Sequence, residues 1–263
     1  MLAHRVEGGS GPALVLLHGA GRTLEDWQLV VPRLLPSWRV VTADLRGHGR
    51  SPGGEWSFDQ VVDDVAELLL NLGADDAVVA GHSLGGMVAT VCADRLAVRR
   101  VVNLDGLGAG MDAPELVDLS VAQLPGCATP LRRDDFAQLL SQIPVPAVVD
   151  GLRRASSERD GLVRLAPDEP TIRAVLRAVG ALDLGAALAR AKVPTLVVRC
   201  TRRSPVPSAL PTWVEELRRE HERRTADLLS SVRNPLVEVV DADATHGLLL
   251  EDPELVAQLL GTP

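Results

Sequence analysis

The apolar positions of the chain follow two patterns that alternate along it. Runs of strand length that are rich in apolar residues recur throughout the chain, and they fall at residues 2–6, 13–17, 38–43, 78–81, 99–104, 194–199 and 236–241. The run at 13–17 is unbroken, and the one at 2–6 predicts a short edge strand. Most segments between these runs repeat apolar residues every three or four positions, as amphipathic helices do; they are residues 23–35, 57–72, 87–97, 213–231 and 253–260. Strands that alternate with helices predict an α/β fold with a mostly parallel sheet and right-handed crossovers.

The middle of the chain departs from this alternation. Between residues 108 and 189 strand-like runs mostly disappear, while prolines, short helical pieces and arginines become frequent. Clustered charges of this kind usually form a solvated face in which arginines pair with neighbouring acids. We therefore predict a helical insertion at residues 108–189, set into an α/β core made of residues 1–107 and 190–263.

One predicted strand leads directly into a helix through the sequence Gly-x-Ser-x-Gly-Gly at residues 81–86. A reversal this sharp holds its pivot, Ser83, in a strained conformation with a positive φ. Gly81 and Gly85 flank the pivot, where Cβ atoms would collide. The Ser83 hydroxyl then stands at the first turn of a helix, whose free N–H groups favour negative charge. This context indicates a nucleophilic serine and disfavours a chance Gly-x-Ser-x-Gly.

Composition narrows the class of protein. The 263 residues suffice for one substantial domain with an insertion, and with four Trp, two Phe and no Tyr the core must consist mainly of Leu, Val and Ala. The formal charge of −8 argues against nucleic-acid binding. Without a leader-like segment or an apolar run long enough to span a bilayer, we expect a cytoplasmic protein that does not bind membranes. The oligomeric state stays open.

Neither the cysteines nor any motif in the sequence indicates a bound metal or cofactor. Cys92, Cys127 and Cys200 have no metal-ligand spacing, and their odd number suits a reducing compartment. No dinucleotide fingerprint, phosphate loop or metal cluster is visible in the sequence. We therefore expect a small-molecule substrate, no cofactor and no metal.

Four segments carry a resemblance to a known family. They are Leu-Leu-His-Gly at 16–19, Asp-Leu-Arg-Gly-His-Gly-Arg-Ser at 44–51, Gly-His-Ser-Leu-Gly-Gly at 81–86 and Asp-Ala-Thr-His-Gly at 243–247. In this order and spacing the chain resembles the α/β-hydrolase family over nearly its whole length. The resemblance implies an eight-stranded, mostly parallel twisted sheet, shortened at its N-terminal edge, with helices on both faces. It also implies a helical cap after the sixth strand, where residues 108–189 fall.

The resemblance and the chemistry of serine together suggest roles for the site residues. A serine hydroxyl needs a base to take its proton, and His246 follows the last strand, where the family keeps its histidine. The backbone N–H groups of Leu84 and Ala20 would hold the oxyanion. For the remaining histidines we expect loop shaping by His18 and His48, packing by His82, and surface positions for His4 and His221.

The chain departs from the family at the acidic residue that would orient His246 and complete a catalytic triad with Ser83. Most members carry a carboxylate after the seventh strand, but residues 200–207 contain none. Asp105, directly after the sixth strand, is the best substitute, because haloalkane dehalogenases and certain lactonases of this fold place their acid there. The alternatives are that Asp105 only caps a loop, and that Asp241 or Asp243 serves instead.

These residues predict a serine hydrolase that cleaves an ester, lactone or thioester of a small lipophilic substrate through an acyl-enzyme. Ser83 discriminates within the family, because relatives that dehalogenate or open epoxides carry Asp at this position. Acyl transfer, lyase chemistry and cofactor-free oxygenation remain alternatives that keep Ser83 and His246. A ligand-binding protein without turnover is a further alternative. The cap determines the substrate, and caps transfer poorly between members of a fold.

Overall fold

A seven-stranded sheet forms the centre of the computed structural model, which describes residues 1–108, 117–118, 121–122, 124, 126–203 and 212–261. Strands in these residues are β1 (His4–Glu7), β2 (Ala13–Leu17), β3 (Arg39–Ala43), β4 (Val78–His82), β5 (Arg100–Leu104), β6 (Leu131–Arg132), β7 (Ser156–Arg159), β8 (Leu162–Leu165), β9 (Thr195–Cys200) and β10 (Val237–Ala242). Helices are α1 (Val31–Leu34), α2 (Phe58–Asn71), α3 (Leu84–Arg95), α4 (Arg133–Ser141), α5 (Pro146–Ala155), α6 (Glu169–Ala181), α7 (Leu184–Ala189), α8 (Thr212–Ser231), α9 (Leu248–Glu251) and α10 (Pro253–Leu260).

The central sheet has the strand order β1-β3-β2-β4-β5-β9-β10. Every neighbouring pair is parallel except β1 with β3. The register aligns His82 with Leu104 and Cys200 with Ala242, so the carboxyl ends of β4, β5, β9 and β10 meet at one edge. The described residues contain seven strands in this sheet rather than eight, because only β1 precedes β2. β5 therefore corresponds to the sixth strand of the sheet that the resemblance implies.

Apolar side chains on both faces bury the central strands of the sheet, whereas the edge strands β1 and β10 are partly exposed. Val15 and Leu17 of β2 pack with α2 and α3 on one face, whereas Leu14 and Leu16 pack with α1, α9 and α10 on the other. All five residues of β2 are buried, as expected for a strand covered on both sides. The core consists mainly of Leu, Val and Ala, as the composition predicts.

Two N-terminal capping residues act as the sequence predicts, but the helix that follows each of them differs from its prediction in one respect. The Ser57 side chain accepts a hydrogen bond from the Gln60 amide at 3.2 Å, but the Gln60 side chain bonds Glu55 instead of completing the capping box. Thr23 accepts from the Glu25 amide. The single helix predicted at residues 23–35 is wrong. A 3-10 turn (Leu24–Trp27) precedes α1, where Pro32 in the first turn lacks the N–H that a continuous helix needs.

The inserted segment is not purely helical, which corrects the sequence prediction. Alongside α4 to α7 it contains a three-stranded antiparallel sheet in the order β6-β8-β7. β7 and β8 are joined by Asp160 and Gly161, whose φ values are 53° and 74°. Positive φ at both central residues is the geometry of a type I′ hairpin, and Asp-Gly is its usual sequence. The Asp-Gly dipeptide is therefore the sequence signal from which this hairpin could have been predicted. Part of the predicted insertion (109–116, 119–120, 123 and 125) lies outside the described residues.

A buried ion pair connects the insertion to the core. The Arg154 Nε of α5 lies 2.7 Å from Asp44 Oδ2, just beyond β3, and the two side chains are 12% and 0% exposed. The Asp44 carboxylate also accepts from the amides of Leu24 and Arg50, each at 2.9 Å. Removing one partner leaves a buried charge without its counter-ion, which is costly. The contact therefore holds α5 against the carboxyl edge of the sheet.

We expect Arg154→Met to lower the free energy of unfolding by about 3 kcal/mol, because Asp44 stays buried without its counter-ion. The control is Arg153→Met, which removes the neighbouring exposed arginine and its ion pair with Asp150. That change should cost less than about 1 kcal/mol. Urea denaturation measures both variants, and equal losses would contradict the assignment of Arg154.

Among the described residues, no helix is long and apolar enough to cross a membrane.

Candidate active site

The turn between β4 and α3 holds Ser83 in a strained backbone conformation. Its φ is 54° and its ψ is −117°. A Cβ atom built on Gly81 would lie 2.2 Å from the Gly85 carbonyl, and one on Gly85 would lie 2.3 Å from the Leu17 oxygen. Only glycine fits at these two positions, as the sequence predicts. The turn therefore presents the Ser83 hydroxyl at the N-terminus of α3.

Three side chains form a continuous chain of contacts at this edge of the sheet. His246 Nε2 lies 3.0 Å from Ser83 Oγ, and His246 Nδ1 lies 2.7 Å from Asp105 Oδ2. Ser83 follows β4, Asp105 follows β5 and His246 follows β10, so the sheet brings together residues that are up to 163 positions apart. With the ring proton on Nδ1, His246 donates to Asp105 and leaves Nε2 to accept from the serine.

Asp105 is held in place by two hydrogen bonds to the neighbouring strand β9. Its own φ is 54°. Its amide donates to the Val198 carbonyl at 2.8 Å, and its Oδ1 accepts from the Cys200 amide at 2.9 Å. Burial raises the pKa of the Asp105 carboxyl, but the hydrogen bonds and charge of His246 and the Cys200 amide outweigh it, leaving the pKa below its usual range. The group is therefore a carboxylate at neutral pH.

The two alternative acids lie elsewhere. Asp241 forms an ion pair with Arg199 at 2.6 Å, and Asp243 pairs with Arg202 at 3.4 Å. Both carboxylates are exposed, at 53% and 91%. Of the three candidates, Asp105 is the one that the structure brings into contact with His246.

Backbone amides are available beside the serine. Leu84 is the first residue of α3, so its N–H has no partner within the helix. The Gly19 segment passes close to Ser83, since a Cβ on Gly19 would lie 3.3 Å from the serine Cβ. The His18 carbonyl accepts from the Gly85 amide at 3.1 Å and fixes this segment to the helix. Within the described ranges, the amides of Ala20 and Leu84 have no backbone acceptor, which fits an oxyanion hole.

The buried histidines support these loops. His82 Nε2–H donates to the His246 carbonyl at 2.8 Å, and the two rings lie 4.7 Å apart. His18 Nε2 accepts from the Leu45 amide at 2.9 Å. Burial lowers the pKa of His82 to about 3 and that of His18 to about 4. Both imidazoles are therefore neutral at ordinary pH, and His82 anchors the base's loop in addition to packing.

A cavity of about 760 Å³ opens above the serine. Much of its wall is apolar and is formed by Met87, Leu107, Leu176, Val179, Val214 and Leu217. Leu176 and Val179 belong to α6, so the predicted insertion lines the access to Ser83. His221 of α8 also lines the cavity, which corrects its predicted surface position. No local sequence signal marks this position, because the helix is highly charged and its buried face depends on how the helix packs.

Comparisons with known proteins agree with this geometry. The model of the alpha/beta hydrolase family matches residues 14–259. The chain is 38% identical over 123 residues to a soluble epoxide hydrolase of Corynebacterium sp. (strain C12), covering 45% of this chain and 43% of that protein. It is 36% identical over 124 residues to a pimeloyl-[acyl-carrier protein] methyl ester esterase of Pectobacterium carotovorum, covering 46% and 40%. The matches therefore span less than half the length of these curated relatives.

A solved structure extends the likeness to the whole fold. E-2-(acetamidomethylene)succinate hydrolase superposes with a TM-score of 0.73 over 98% of this chain and 93% of its own, at 24% sequence identity. The family match covers the central sheet from β2 to β10, without β1, together with the loops that carry Ser83, Asp105 and His246. The chain belongs to the α/β-hydrolase family.

Proposed function

We propose that this protein is a serine hydrolase that cleaves an ester, lactone or thioester of a small lipophilic substrate through an acyl-enzyme. The observation that carries the proposal is the chain of contacts from Ser83 through His246 to Asp105. It ends beside available amides and below a largely apolar cavity. A nucleophile, a base with an orienting acid, and donors for an oxyanion are the parts that acyl transfer to serine requires.

In the acylation step, Ser83 Oγ attacks the substrate carbonyl carbon while its proton moves to His246 Nε2. The carbonyl π electrons move to oxygen, and the resulting oxyanion accepts hydrogen bonds from the amides of Ala20 and Leu84. The Asp105 carboxylate stabilises the imidazolium that forms and keeps its Nε2 directed at the reaction. His246 then gives the proton to the leaving oxygen or sulfur as its bond to the carbonyl carbon breaks and the C=O bond re-forms. The alcohol or thiol departs or, for a lactone, stays attached to the acyl group.

Deacylation repeats these steps with water as the nucleophile. His246 takes a proton from water as the water oxygen attacks the acyl carbon, and the same oxyanion site is used again. When the second tetrahedral intermediate collapses, the proton returns to Ser83 Oγ and the acid is released. The enzyme ends with the protonation states with which it began.

The identity of the nucleophile favours this chemistry over that of the epoxide hydrolase relative. By the family resemblance, members that open epoxides or dehalogenate carry Asp at the position of Ser83. A serine next to a histidine base is suited to acyl transfer. The esterase relative acts on a methyl ester, in agreement with this class of reaction.

The cavity supports a lipophilic acyl group of moderate size. Its volume of about 760 Å³ lies within the usual range for small-molecule sites. Leu176 and Val179 of α6 face the same cavity as Met87 of α3, so the acyl chain would lie between the insertion and the core. Burial of each methylene there contributes about 0.8 kcal/mol to binding.

We expect the protein to hydrolyse p-nitrophenyl esters from acetate to decanoate, with kcat/KM rising with chain length until the cavity is full. Leu176→Trp narrows the cavity and should lower the octanoate-to-butanoate ratio of kcat/KM by about tenfold. Leu70→Trp, at an exposed leucine outside the cavity, is the matched control and should leave the ratio unchanged. Absence of ester hydrolysis by the unaltered protein would contradict the proposal.

A further inference from the structure

Helix α8 carries two polar residues on its buried face. Its most buried side chains are Val214 and Thr225, and His221 lies on the same face between them. On an amphipathic helix such positions are usually apolar. Thr225 is only 9% exposed, and its Oγ1 lies 3.5 Å from His221 Nε2. A polar pair thus replaces apolar packing on the inner side of this helix.

This polar pair faces the reaction site. His221 and Thr225 line the same cavity as Ser83 and His246. An imidazole and a hydroxyl can each form more hydrogen bonds than the one they share, so a polar pair in a largely apolar wall favours a ligand that can hydrogen-bond. Burial lowers the pKa of His221, although Asp105 and Glu222 act to raise it, and the imidazole is neutral. A neutral imidazole has one donor and one acceptor nitrogen.

Among the residues that the structure describes, Thr225 is the hydrogen-bond partner of His221 Nε2, and Nδ1 has none, so Nδ1 stays available for a ligand. If the Thr225 hydroxyl donates to Nε2, the ring proton resides on Nδ1. An N–H donor at Nδ1 suits an ether, carbonyl or hydroxyl oxygen. Thr225 lies four residues after His221, so the two side chains occupy adjacent turns of one helix face. The helix itself therefore orients the imidazole ring.

The surroundings of His221 indicate which part of the substrate it meets. Glu222, the next residue along α8, forms an ion pair with Arg203, which follows β9. The Cys200 amide at the end of β9 bonds Asp105. His221 therefore lies on the side of the base. The base returns its proton to the leaving group, which must therefore lie on that side as well. Arg202 and Arg203 line this cavity with about half of their side-chain surface exposed, which gives a departing group a route to solvent.

We propose that His221, oriented by Thr225, hydrogen-bonds an oxygen atom within the leaving alcohol of the substrate. The preferred substrates are then esters of oxygenated alcohols rather than of plain alkanols. This inference rests on the proposed function and adds the chemical class of the leaving group.

Three butanoate esters of equal chain length test this subsite. Pentyl butanoate has an all-carbon alcohol, whereas 2-ethoxyethyl and 3-methoxypropyl butanoate replace one methylene by oxygen at adjacent positions. Hydrolysis is followed by titration at constant pH. The unaltered protein should favour one of the two ethers over pentyl butanoate by about tenfold in kcat/KM, the worth of one hydrogen bond. His221→Leu should abolish this preference.

Two further variants separate hydrogen bonding from packing. His221→Gln keeps a neutral donor and should retain part of the preference, while Thr225→Val keeps the side-chain shape but loses the hydroxyl and should reduce it. An ether-to-pentyl ratio unchanged in His221→Leu and Thr225→Val would overturn the subsite and leave the proposed function standing. If the unaltered protein hydrolyses none of the three esters faster than Ser83→Ala does, both proposals fall.

Discussion

Replacing Asp105 with Asn should lower kcat for ester hydrolysis by up to about 10⁴. The carboxylate accepts from His246 Nδ1 at 2.7 Å, whereas an amide can donate to that nitrogen and hold the imidazole in the wrong tautomer. Nε2 would then carry the proton and could not accept from Ser83. The amide also cannot balance the charge of the imidazolium. The loss appears in steady-state kcat, while the free energy of unfolding changes far less.

The two exposed aspartates near the base provide matched controls. Asp241→Asn and Asp243→Asn remove one surface ion pair each, with Arg199 and Arg202 respectively. Surface pairs contribute little, so each change should alter kcat by less than about threefold. If Asp105→Asn retained more than about a tenth of the activity, or if either control lost as much, Asp105 would not be the acid.

Replacing Ser83 with Ala should abolish ester hydrolysis, with a loss on the order of a thousandfold or more. The substitution removes the only atom proposed to attack the carbonyl and leaves the oxyanion donors in place. The residual rate would come from those donors and from substrate binding. Because alanine keeps the Cβ, it adds no clash at the positive φ of this position. Steady-state kinetics and thermal unfolding are measured on the same preparation.

Ser141→Ala is the control for this change, since it removes the hydroxyl of an exposed serine whose Oγ bonds only the nearby Gln138 carbonyl among the described contacts. Its activity and melting temperature should match those of the unaltered protein. Substantial hydrolysis by Ser83→Ala would mean that another group attacks the substrate.

The sequence predicts most of the core because its signals there are local. The elbow is an example: a valine-rich run, two glycines and a helix within a short stretch leave one arrangement for Ser83. The position of Asp105 needs two facts together, the absence of an acid after β9 and the adjacency of parallel strands. The pairing of β5 with β9 confirms that these strands are adjacent, and the Cys200 amide at the end of β9 bonds the Asp105 carboxylate.

The elements that sequence reasoning missed depend on contacts distant in the chain or on weak local signals. Strand β7 contains no apolar residue, so the turn at Asp160 and Gly161 is the main sequence signal for the β7–β8 hairpin. Arg154 and Asp44 are 110 positions apart, and neither is unusual by itself. His221 lies in a highly charged helix whose polar residues mask its buried face. The role of His221 depends on where this helix packs against the core, and a local sequence pattern does not determine that packing.

Labelling with a fluorophosphonate probe tests the central claim most directly, because the probe forms a stable phosphoryl adduct with an activated serine. Intact-mass measurement followed by peptide mapping should find one adduct per chain, located on Ser83. Asp105→Asn should label much more slowly, and Ser83→Ala should not label. An adduct on another residue, or undiminished labelling of Ser83→Ala, would contradict the assignment of Ser83 as the nucleophile.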